Sequence, residues 1–341
     1  MATKRIVSPA ASEEDRQSDL TLRPQKLDEF IGQTTLKENL SIAVEAARMR
    51  GDALDHVLLY GPPGLGKTTL ATIIANELEV RADYTSGPVL QKKLDLTGML
   101  TTIQGRQVFF IDEVHRLLPD IEEMLYSALE DFRVDLVVGT GPGARMHSIP
   151  IPPFTAIGAT TRQGLISGPL RSRFGIVLRL NPYDSVDLMR IVFRSAGLLK
   201  VEIQEEAAEE IARRARGTPR VANRLLRRVR DYSEVRADGR VDQEIACTAL
   251  DMLEVDPLGL DEIDRKIMET ILAKYSGGPV GLNTLSASVG EDSSTIEEVY
   301  EPYLMQLGFL DRTHRGRVGT LQAFEYFKLD PPGGAQGLLG Y

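Results

Sequence analysis

The sequence predicts an α/β domain built on a parallel sheet, followed by a small helical domain and a C-terminal domain of helices with a two-stranded turn. Short apolar runs at 57–60, 108–111 and 154–161, separated by helical patterns, indicate buried strands of a parallel sheet. From 185 to 253 the apolar periodicity is helical, and short helices and a turn follow. We therefore expect domains at 20–182, 183–255 and 256–330, between a disordered leader (1–19) and a flexible tail (331–341).

The composition is typical of a globular protein with more than one core. The chain has 341 residues, 42% of them hydrophobic and 26% charged, which is too long for one ordinary core. No apolar run approaches the roughly 20 residues of a membrane span, and the N-terminus lacks the apolar segment of a secretory signal. The lone Cys247 excludes an internal disulfide, so we expect a cytoplasmic protein.

The strongest motif follows the first predicted strand. Residues 61–68 match G-x-x-x-x-G-K-[ST], and a helix is predicted from Thr69 to Leu78. Glycines let the backbone N–H groups turn toward phosphate oxygens, and the helix N-terminus adds partial positive charge. Lys67 is placed to reach the β- and γ-phosphates, and the Thr68 hydroxyl to hold Mg²⁺. The alternative interpretation is a glycine-rich turn that merely precedes a helix.

An acidic pair follows the second apolar run. Asp112 and Glu113 come directly after Val108–Ile111, at the end of a strand where α/β sheets bind ligands. The sequence predicts that Asp112 helps to hold Mg²⁺ and that Glu113 polarises the water that attacks the γ-phosphate. His115 completes the letters D-E-V-H of a helicase box, but we favour a structural role for this histidine.

Two further segments carry candidate site residues. Thr160 and Thr161 end the third apolar run, where a hydroxyl group would lie near the γ-phosphate. Arg171 and Arg173 lie in the short turn after it, which suggests an arginine finger, because a guanidinium stabilises charge on a transferring phosphoryl group. The alternative is a solvated basic turn.

An inserted hairpin is predicted at about 133–153. Apolar stretches at 134–138 and 146–151 flank a glycine-rich tip at 139–143. The hairpin is either a surface excursion or an arm that docks a partner protein.

The helical domain contains one further candidate. Thr218 is a plausible N-cap and Pro219 a plausible first residue of the helix that follows. Arg220 then lies in the first turn, where a cation opposes the helix dipole and suggests an anion nearby.

The two-stranded turn of the last domain is locally basic. Three helices and this turn form the outline of a winged helix, and Arg312, His314, Arg315 and Arg317 crowd its tip. The formal charge of the chain is −9, so contact with nucleic acid requires a local patch of this kind. The alternative is an ordinary polar tip.

In this order, the phosphate loop, acidic strand end, threonine strand end, arginine turn and helical domain are typical of AAA+ ATPases. The stretches GPPGLGKTTLA, FFIDEVHRL, GPLRSRFGIV, RGTPRVANRLLRRVRD and the winged helix resemble the RuvB family of bacterial Holliday-junction branch-migration motors. The resemblance runs from about 20 to 327. It implies an α/β P-loop AAA+ ATPase with a parallel sheet core, a small helical lid domain and a C-terminal winged-helix domain.

The resemblance also implies roles for individual residues. Arg173 would be the finger that reaches a neighbouring subunit, with Arg171 the second candidate, and Thr161 or Thr160 would be the sensor. Lys67, Asp112, Glu113, Thr161 and Arg173 would act in catalysis, with Thr68 and Asp112 on Mg²⁺. The residues implied to contact ATP are Leu22, Arg23, Gly64, Gly66, Lys67, Thr68, Thr69, Glu130, Asp131, Phe132, Arg173, Tyr183 and Arg220. Those implied to contact DNA are Arg312, Arg315 and Arg317.

The activity implied is ATP-driven branch migration by a hexameric ring on double-stranded DNA at four-way junctions. Its partners would be RuvA, docked by the 133–153 hairpin, and the RuvC resolvase in the same complex, and its cofactors ATP and Mg²⁺. Two other hypotheses stay open. A clamp-loader-like AAA+ remodeller would have a helical collar in place of a basic wing. A nucleotide-gated DNA-binding regulator would not need Glu113 or Arg173.

Overall fold

The computed structural model describes residues 21–138 and 145–332. The predicted leader, most of the predicted tail and the glycine-rich tip of the hairpin lie outside these ranges. The described chain divides into two compact units, one up to Tyr183 and the other from Asp184. Within these ranges, no helix combines the length and the apolar composition that crossing a bilayer requires.

The first unit contains a parallel sheet with helices around it. In the described part of this unit, five strands pair in the order β2-β3-β6-β1-β7, all in parallel. The strands of the sheet are β1 (Val57–Tyr60), β2 (Ala82–Ser86), β3 (Val108–Asp112), β6 (Thr155–Thr160) and β7 (Ile176–Arg179). The helices are α1 (Thr34–Arg50), α2 (Lys67–Glu77), α3 (Lys93–Leu100), α4 (Pro119–Glu130) and the one-turn α5 (Gly168–Arg171).

The three predicted apolar strands β1, β3 and β6 are the central ones of the sheet. β1, β3 and β6 are almost entirely buried, which explains why each is a continuous apolar run rather than an alternating one. The amphipathic prediction for α1 is confirmed, since its buried residues are those predicted for one face: Leu36, Leu40, Val44 and Ala47. The helix α2 begins two residues earlier than predicted, at Lys67.

The predicted hairpin is present beside this sheet. β4 (Arg133–Val138) and β5 (Arg145–Pro150) pair antiparallel, with Val134 opposite Ile149. Val134 is fully buried and Leu136 packs against the core, whereas Met146 is 72% exposed. The base of the hairpin is therefore anchored in the core, and part of its apolar surface faces solvent.

The second unit starts with the helical bundle. Its helices are α6 (Ser185–Leu199), α7 (Glu205–Arg214), α8 (Pro219–Arg236) and α9 (Gln243–Met252). The prediction of a purely helical region was wrong at two short strands, β8 (Glu202–Ile203) and β9 (Arg240–Val241), which pair in parallel. Two-residue strands are too short to produce a detectable apolar period.

The remainder of the second unit is a winged helix. Its helices are α10 (Glu262–Glu269), α11 (Leu282–Val289), α12 (Ser293–Thr295), α13 (Glu301–Gln306) and α14 (Leu321–Phe327), with π-helical turns at Thr270–Lys274 and Ile296–Tyr300. β10 (Leu310–Thr313) and β11 (Gly316–Gly319) form the antiparallel wing. The predicted two-stranded turn is therefore present, whereas α14 was not predicted.

A buried arginine joins the helical bundle to the winged helix inside this unit. The Arg216 side chain is 3% exposed, and its guanidinium pairs with Asp264 and donates to the carbonyl oxygen of Gly259 at 2.6 Å. The guanidinium also lies over the ring of Tyr303 at 5.1 Å. Burial raises the pKa of Asp264 to about 7, and the neighbouring Arg216 opposes this rise. Removing either partner would therefore leave the other as an uncompensated buried group.

We expect Arg216→Ala to lower the free energy of unfolding of the isolated chain by about 3–5 kcal/mol, because Asp264 loses its cation in a dry site. Chemical denaturation monitored by circular dichroism measures this change. The matched control is Arg240→Ala, which removes an ion pair with Glu202 whose side chains are 69% and 73% exposed. This control should change stability by less than about 1 kcal/mol. Equal effects of the two substitutions would contradict the proposed contribution of the Arg216–Asp264 pair to stability.

Candidate functional site

The phosphate-binding motif forms the turn between β1 and α2. Gly61 has φ of 145°, and a Cβ atom there would lie 2.4 Å from the carbonyl oxygen of Leu180. The turn therefore requires glycine at this position, for both its backbone conformation and its close packing on the strand end of β7. The chain then enters α2 at Lys67, so the first N–H groups of that helix face the same end of the sheet.

Lys67 lies over the loop that precedes it. Its side chain is largely buried, and Nζ donates to the carbonyl oxygens of Gly61 at 2.7 Å and Pro62 at 2.9 Å. Thr68 and Thr69 follow in the first turn of α2 and are half-buried. A cation, helix N–H groups and two hydroxyl groups thus lie at one end of β1, which is a suitable arrangement for binding phosphate.

The acidic pair is held in an unusual backbone conformation. Asp112 ends β3, and its Oδ1 accepts a hydrogen bond from the backbone N–H of Glu113 at 2.9 Å. Glu113 has φ of 47° and ψ of 47°, a left-handed conformation that costs a non-glycine residue about 1–3 kcal/mol. Gly87 makes room for this turn, because a Cβ atom there would lie 2.5 Å from the carbonyl oxygen of Glu113. The Glu113 carboxylate pairs with Arg116 at 2.9 Å on the surface.

The structure separates the two candidate sensor threonines. Thr160 is fully buried, and its Oγ1 lies 2.9 Å from His115 Nδ1 and accepts from the backbone N–H of Arg162. Thr161 is half-buried just beyond the strand end. The geometry therefore favours Thr161 as the sensor. It also supports the structural interpretation of His115, which ties the acidic turn to β6.

These groups meet because their strands are neighbours. β6 lies between β3 and β1, with Tyr60 opposite Thr160 and Ile111 opposite Gly158. The carboxyl ends of parallel strands share one edge of a sheet. The loop with Lys67, the acidic pair and Thr161 consequently lie along one edge, which we call the loop edge.

Two chain segments flank the loop edge. Residues 22–30 run along α2, where the side-chain amide of Asn76 donates to the carbonyl oxygen of Gln25 at 2.9 Å. Leu22 is buried and Arg23 half-buried at the start of this segment, and their contacts with adenine remain predictions. On the other side, the buried Tyr183 places its hydroxyl group 3.4 Å from the carbonyl oxygen of Leu65 in the loop.

Arg173 and Glu130 lie at the opposite edge of the sheet. Arg173 precedes the amino end of β7 by three residues, and Glu130 ends α4, beside the amino end of β1. The two side chains pair at 2.7 Å. β1 alone spans four residues, or about 13 Å. A subunit therefore presents Arg173 on the far side of the sheet from its own phosphate loop. The other candidate, Arg171, is exposed at the end of α5.

Phe132 packs against the core of the first unit, and its contact with nucleotide stays a prediction. Its ring packs in an aromatic cluster, 6.2 Å from the ring of His56 and 6.1 Å from that of Phe154. Asp131 beside it pairs with Arg133 on the surface. Residues 130–132 therefore belong to the edge that carries Arg173, where the Phe132 ring is partly buried.

His56 is a residue that the sequence analysis missed. Its Nδ1 accepts from the backbone N–H of Ala156 at 3.0 Å, and its Nε2 lies 2.9 Å from the carbonyl oxygen of Leu129. Burial lowers the pKa of His56, so the neutral ring with a proton on Nε2 satisfies both contacts. The histidine thereby fixes the end of α4, and with it Glu130, at the amino edge of β1. Only its position before β1 was visible in the sequence.

In the helical bundle, Arg220 occupies the first turn of α8 as predicted. Pro219 is the first helical residue and Thr218 the N-cap. The predicted side-chain cap is absent, however, because the hydroxyl group of Thr218 donates to the carbonyl oxygen of Arg216 at 3.2 Å.

The wing arginines differ from one another, and one prediction is corrected. Arg312 and Arg315 are exposed on the wing, and Arg312 pairs with Glu297. The side chain of Arg317, by contrast, is 9% exposed and holds Glu301 through two bonds, 2.6 Å and 3.1 Å long. Arg317 therefore anchors β11 to α13, and its predicted contact with the DNA backbone does not fit this position.

These features define a P-loop ATPase of the AAA+ class. The loop edge has a phosphate-binding turn, an acidic strand end and a polar strand end, and an arginine lies at the opposite edge. Among residues 21–138 and 145–332, no cluster of three or more histidine, cysteine or acidic side chains suited to a metal ion was found.

Comparisons with known proteins assign the family. Three family models match consecutive parts of the chain: the Holliday junction DNA helicase RuvB P-loop domain at 22–180, the RuvB AAA lid domain at 183–256 and the RuvB C-terminal winged helix domain at 257–328. The chain therefore belongs to the RuvB family.

Individual relatives agree with this assignment. The Holliday junction branch migration complex subunit RuvB of Solibacter usitatus is 70% identical over 96% of both chains. The corresponding subunit of Koribacter versatilis is 63% identical over 96% of this chain and 91% of its own. The solved structure of the Thermotoga maritima RuvB Holliday junction branch migration motor is 54% identical with a TM-score of 0.84, covering 92% of this chain and 100% of its own.

Proposed function

We propose that this protein hydrolyses ATP as part of a hexameric ring and uses the energy to drive branch migration of four-way DNA junctions in the cytoplasm. The single observation that carries the proposal is the separation of Arg173 from the loop edge of the same sheet. Family membership and the relatives named as branch-migration subunits support the choice of substrate.

The loop edge supplies the groups that bind ATP and Mg²⁺. Lys67 and the N–H groups of α2 hold the phosphates, and Gly64, Gly66 and Thr69 shape the turn around them. Thr68 and Asp112 offer the hydroxyl and carboxylate oxygens that Mg²⁺ prefers, and so small a ligand set fits an ion that keeps most of its water. When bound, Mg²⁺ neutralises charge on the phosphates.

Glu113 is the group that acts on the attacking water. Its carboxylate lies just beyond β3 on a strained turn that is held by Asp112 and accommodated by Gly87. Strain of this kind fixes a side chain where an unstrained turn would not place it. Thr161 follows β6, the strand next to β3, and is the sensor of the γ-phosphate.

The arginine finger acts between subunits. Arg173 faces away from its own loop edge, so its guanidinium stabilises the transferring phosphoryl group only when a second copy brings its loop edge alongside. Hydrolysis then requires assembly, and a closed ring gives every loop edge a neighbouring finger. Glu130 and Asp131 lie on the same edge as Arg173, so any part they take in the site is also played toward the neighbouring subunit.

The nucleotide state is transmitted to the helical bundle through Tyr183, the last residue before it. Tyr183 contacts the phosphate-binding loop at Leu65 and is directly followed by the bundle. Arg220, at the start of α8, is the predicted contact of the bundle with the nucleotide, and Leu22 and Arg23 line the adenine. Movement of the bundle carries the winged helix with it, because Arg216 and Asp264 join them.

DNA is contacted at the phosphate backbone by the exposed wing arginines Arg312 and Arg315. Such contacts carry no sequence information, which suits a motor that moves along any junction. The hairpin at 133–153, with the exposed Met146, is the docking arm for RuvA, and RuvC acts in the same complex.

Replacing Arg312 and Arg315 together by alanine should weaken binding to duplex DNA and reduce the slope of log K against log salt by about 2. Fluorescence anisotropy at several salt concentrations measures both quantities. Arg317→Ala is the informative comparison. Because Glu301 then loses its cation in a buried site, this variant should mainly lower thermal stability. An unaltered slope in the double variant would place the DNA site elsewhere.

Arg173→Ala should bind ATP with unchanged affinity and hydrolyse it about 10³-fold more slowly, because an arginine finger acts on the transition state. Mixed with Lys67→Ala, which keeps its finger but lacks the phosphate-binding lysine, it should regain hydrolysis at interfaces that join an intact loop to an intact finger. Steady-state ATPase assays on the separate and mixed variants test this. No recovery in mixed rings, verified by differently tagged subunits, would contradict a finger that acts in trans.

The decisive experiment for the whole function uses a synthetic four-way junction with ATP, Mg²⁺ and the cognate junction-binding partner. We expect partner-stimulated conversion of the junction to two duplexes, resolved on native gels. Glu113→Gln should abolish it while ATP still binds. DNA-stimulated ATPase without junction conversion would instead favour the clamp-loader-like remodeller. Nucleotide-dependent binding to one DNA sequence, without turnover, would favour the regulator.

A further inference from the structure

Three contacts within the first unit hold the side chain of Arg173. Its Nη1 donates to the carbonyl oxygen of Pro169 at 2.6 Å, and its Nη2 pairs with Glu130 at 2.7 Å. Its guanidinium carbon lies 4.6 Å from the centre of the Tyr126 ring. The side chain is only 23% exposed, and its buried Nε lacks a hydrogen-bond partner among the described residues. The plane of the guanidinium is thus defined by a ring face and two polar contacts.

The ring beneath Arg173 is itself fixed. The hydroxyl group of Tyr126 donates to Glu122 Oε1 at 2.5 Å and lies 3.0 Å from Ser167 Oγ, which also bonds to Glu122. Burial and the hydrogen bond to Glu122 raise the pKa of Tyr126, so the phenol keeps its proton and stays a donor. Ser167 in turn caps α5 by accepting from the N–H of Leu170. The ring is therefore tied both to α4 and to the turn that carries the finger.

We propose that Tyr126 is the positioning residue for the arginine finger, holding the guanidinium of Arg173 in the plane in which it meets the neighbouring subunit's nucleotide. This inference rests on the finger that the proposed function assigns to Arg173. Tyr126 itself touches no reacting atom. Its effect is to reduce the rotamer freedom of a long, flexible side chain.

Tyr126 suits this role better than Glu130 does. The side chain of Glu130 is 63% exposed, so its attraction for Arg173 is screened by solvent. A triphosphate that approaches from a second copy competes for the same guanidinium and repels the Glu130 carboxylate. The uncharged face of the Tyr126 ring attracts the guanidinium without opposing the phosphate, so the stacking contact persists when the ion pair opens.

The inference predicts a defect in turnover rather than in binding. Tyr126→Leu removes the ring and should lower kcat for ATP hydrolysis by about 5- to 30-fold, the range expected for loss of a partly buried cation–π contact. The KM for ATP should change by less than about twofold, because the loop edge is untouched. Tyr126→Phe keeps the ring face and should retain kcat within about threefold. An unchanged kcat in Tyr126→Leu, or equal losses in the Phe and Leu variants, would overturn the proposal.

A mixing experiment separates positioning of the finger from general damage. Tyr126→Leu has an intact loop edge, and Lys67→Ala has an intact finger and intact Tyr126. Mixed rings should therefore regain hydrolysis at loops of the Tyr126→Leu subunits that face fingers of the Lys67→Ala subunits. A merely structural defect would leave Tyr126→Leu subunits inactive in every ring. Absence of recovery, with mixed rings verified by differently tagged subunits, would overturn the proposal.

Two controls keep the outcome interpretable. Tyr126→Met also removes the ring but fills more of its volume, so it replaces the leucine variant if that variant does not fold by circular dichroism. Arg173→Ala is measured alongside. If Arg173→Ala hydrolyses ATP normally, the finger of the proposed function is wrong. If Arg173→Ala is inactive and both Tyr126→Leu and Tyr126→Met hydrolyse ATP normally, only the role of Tyr126 is wrong.

Discussion

The parallel arrangement of β1, β3, β6 and β7 is the constraint on which the rest of the first unit depends. Parallel pairing collects every carboxyl end at one edge, so the phosphate loop, the Asp112–Glu113 pair and Thr161 meet although they are far apart in the sequence. The same pairing sends the segments that enter the strands to the other edge, where Arg173 and Glu130 lie. One sheet thus carries the loop edge and the proposed finger on opposite sides, which is why the proposed hydrolysis requires a second copy.

Several arginines in the second unit act inside the fold. Arg214 and Arg216 are buried in ion pairs of the bundle and its junction with the winged helix, and Arg317 is buried against Glu301. Guanidinium groups suit such places, since their fixed fork of donors satisfies carboxylates and carbonyls together. A cluster of arginines in the sequence is therefore weak evidence for a DNA surface. Exposure separates Arg312 and Arg315 from the buried group.

Much of the fold and of the loop edge was predictable because short-range patterns encode it. The apolar residues before Gly61 and Asp112 identify central strands, and the spacing of Leu36, Leu40, Val44 and Ala47 identifies the buried face of α1. Elements that lack such a pattern were missed or misplaced. β8 and β9 have two residues each, and the hydroxyl group of Thr218 bonds backward to Arg216 instead of capping α8. Local propensity allows both outcomes, and packing selects one.

The sequence by itself determined the parallel sheet, the phosphate loop with Lys67 and the acidic strand end, because each follows from residue types at fixed local spacing. Only the tertiary structure decided that Phe132 and His56 pack in the core, that Thr160 turns inward to His115, and that Arg173 rests on Tyr126. These contacts join residues far apart in the chain, and no period or spacing records them. They arise when the sheet brings the ends of different segments together and burial selects which side chains remain exposed.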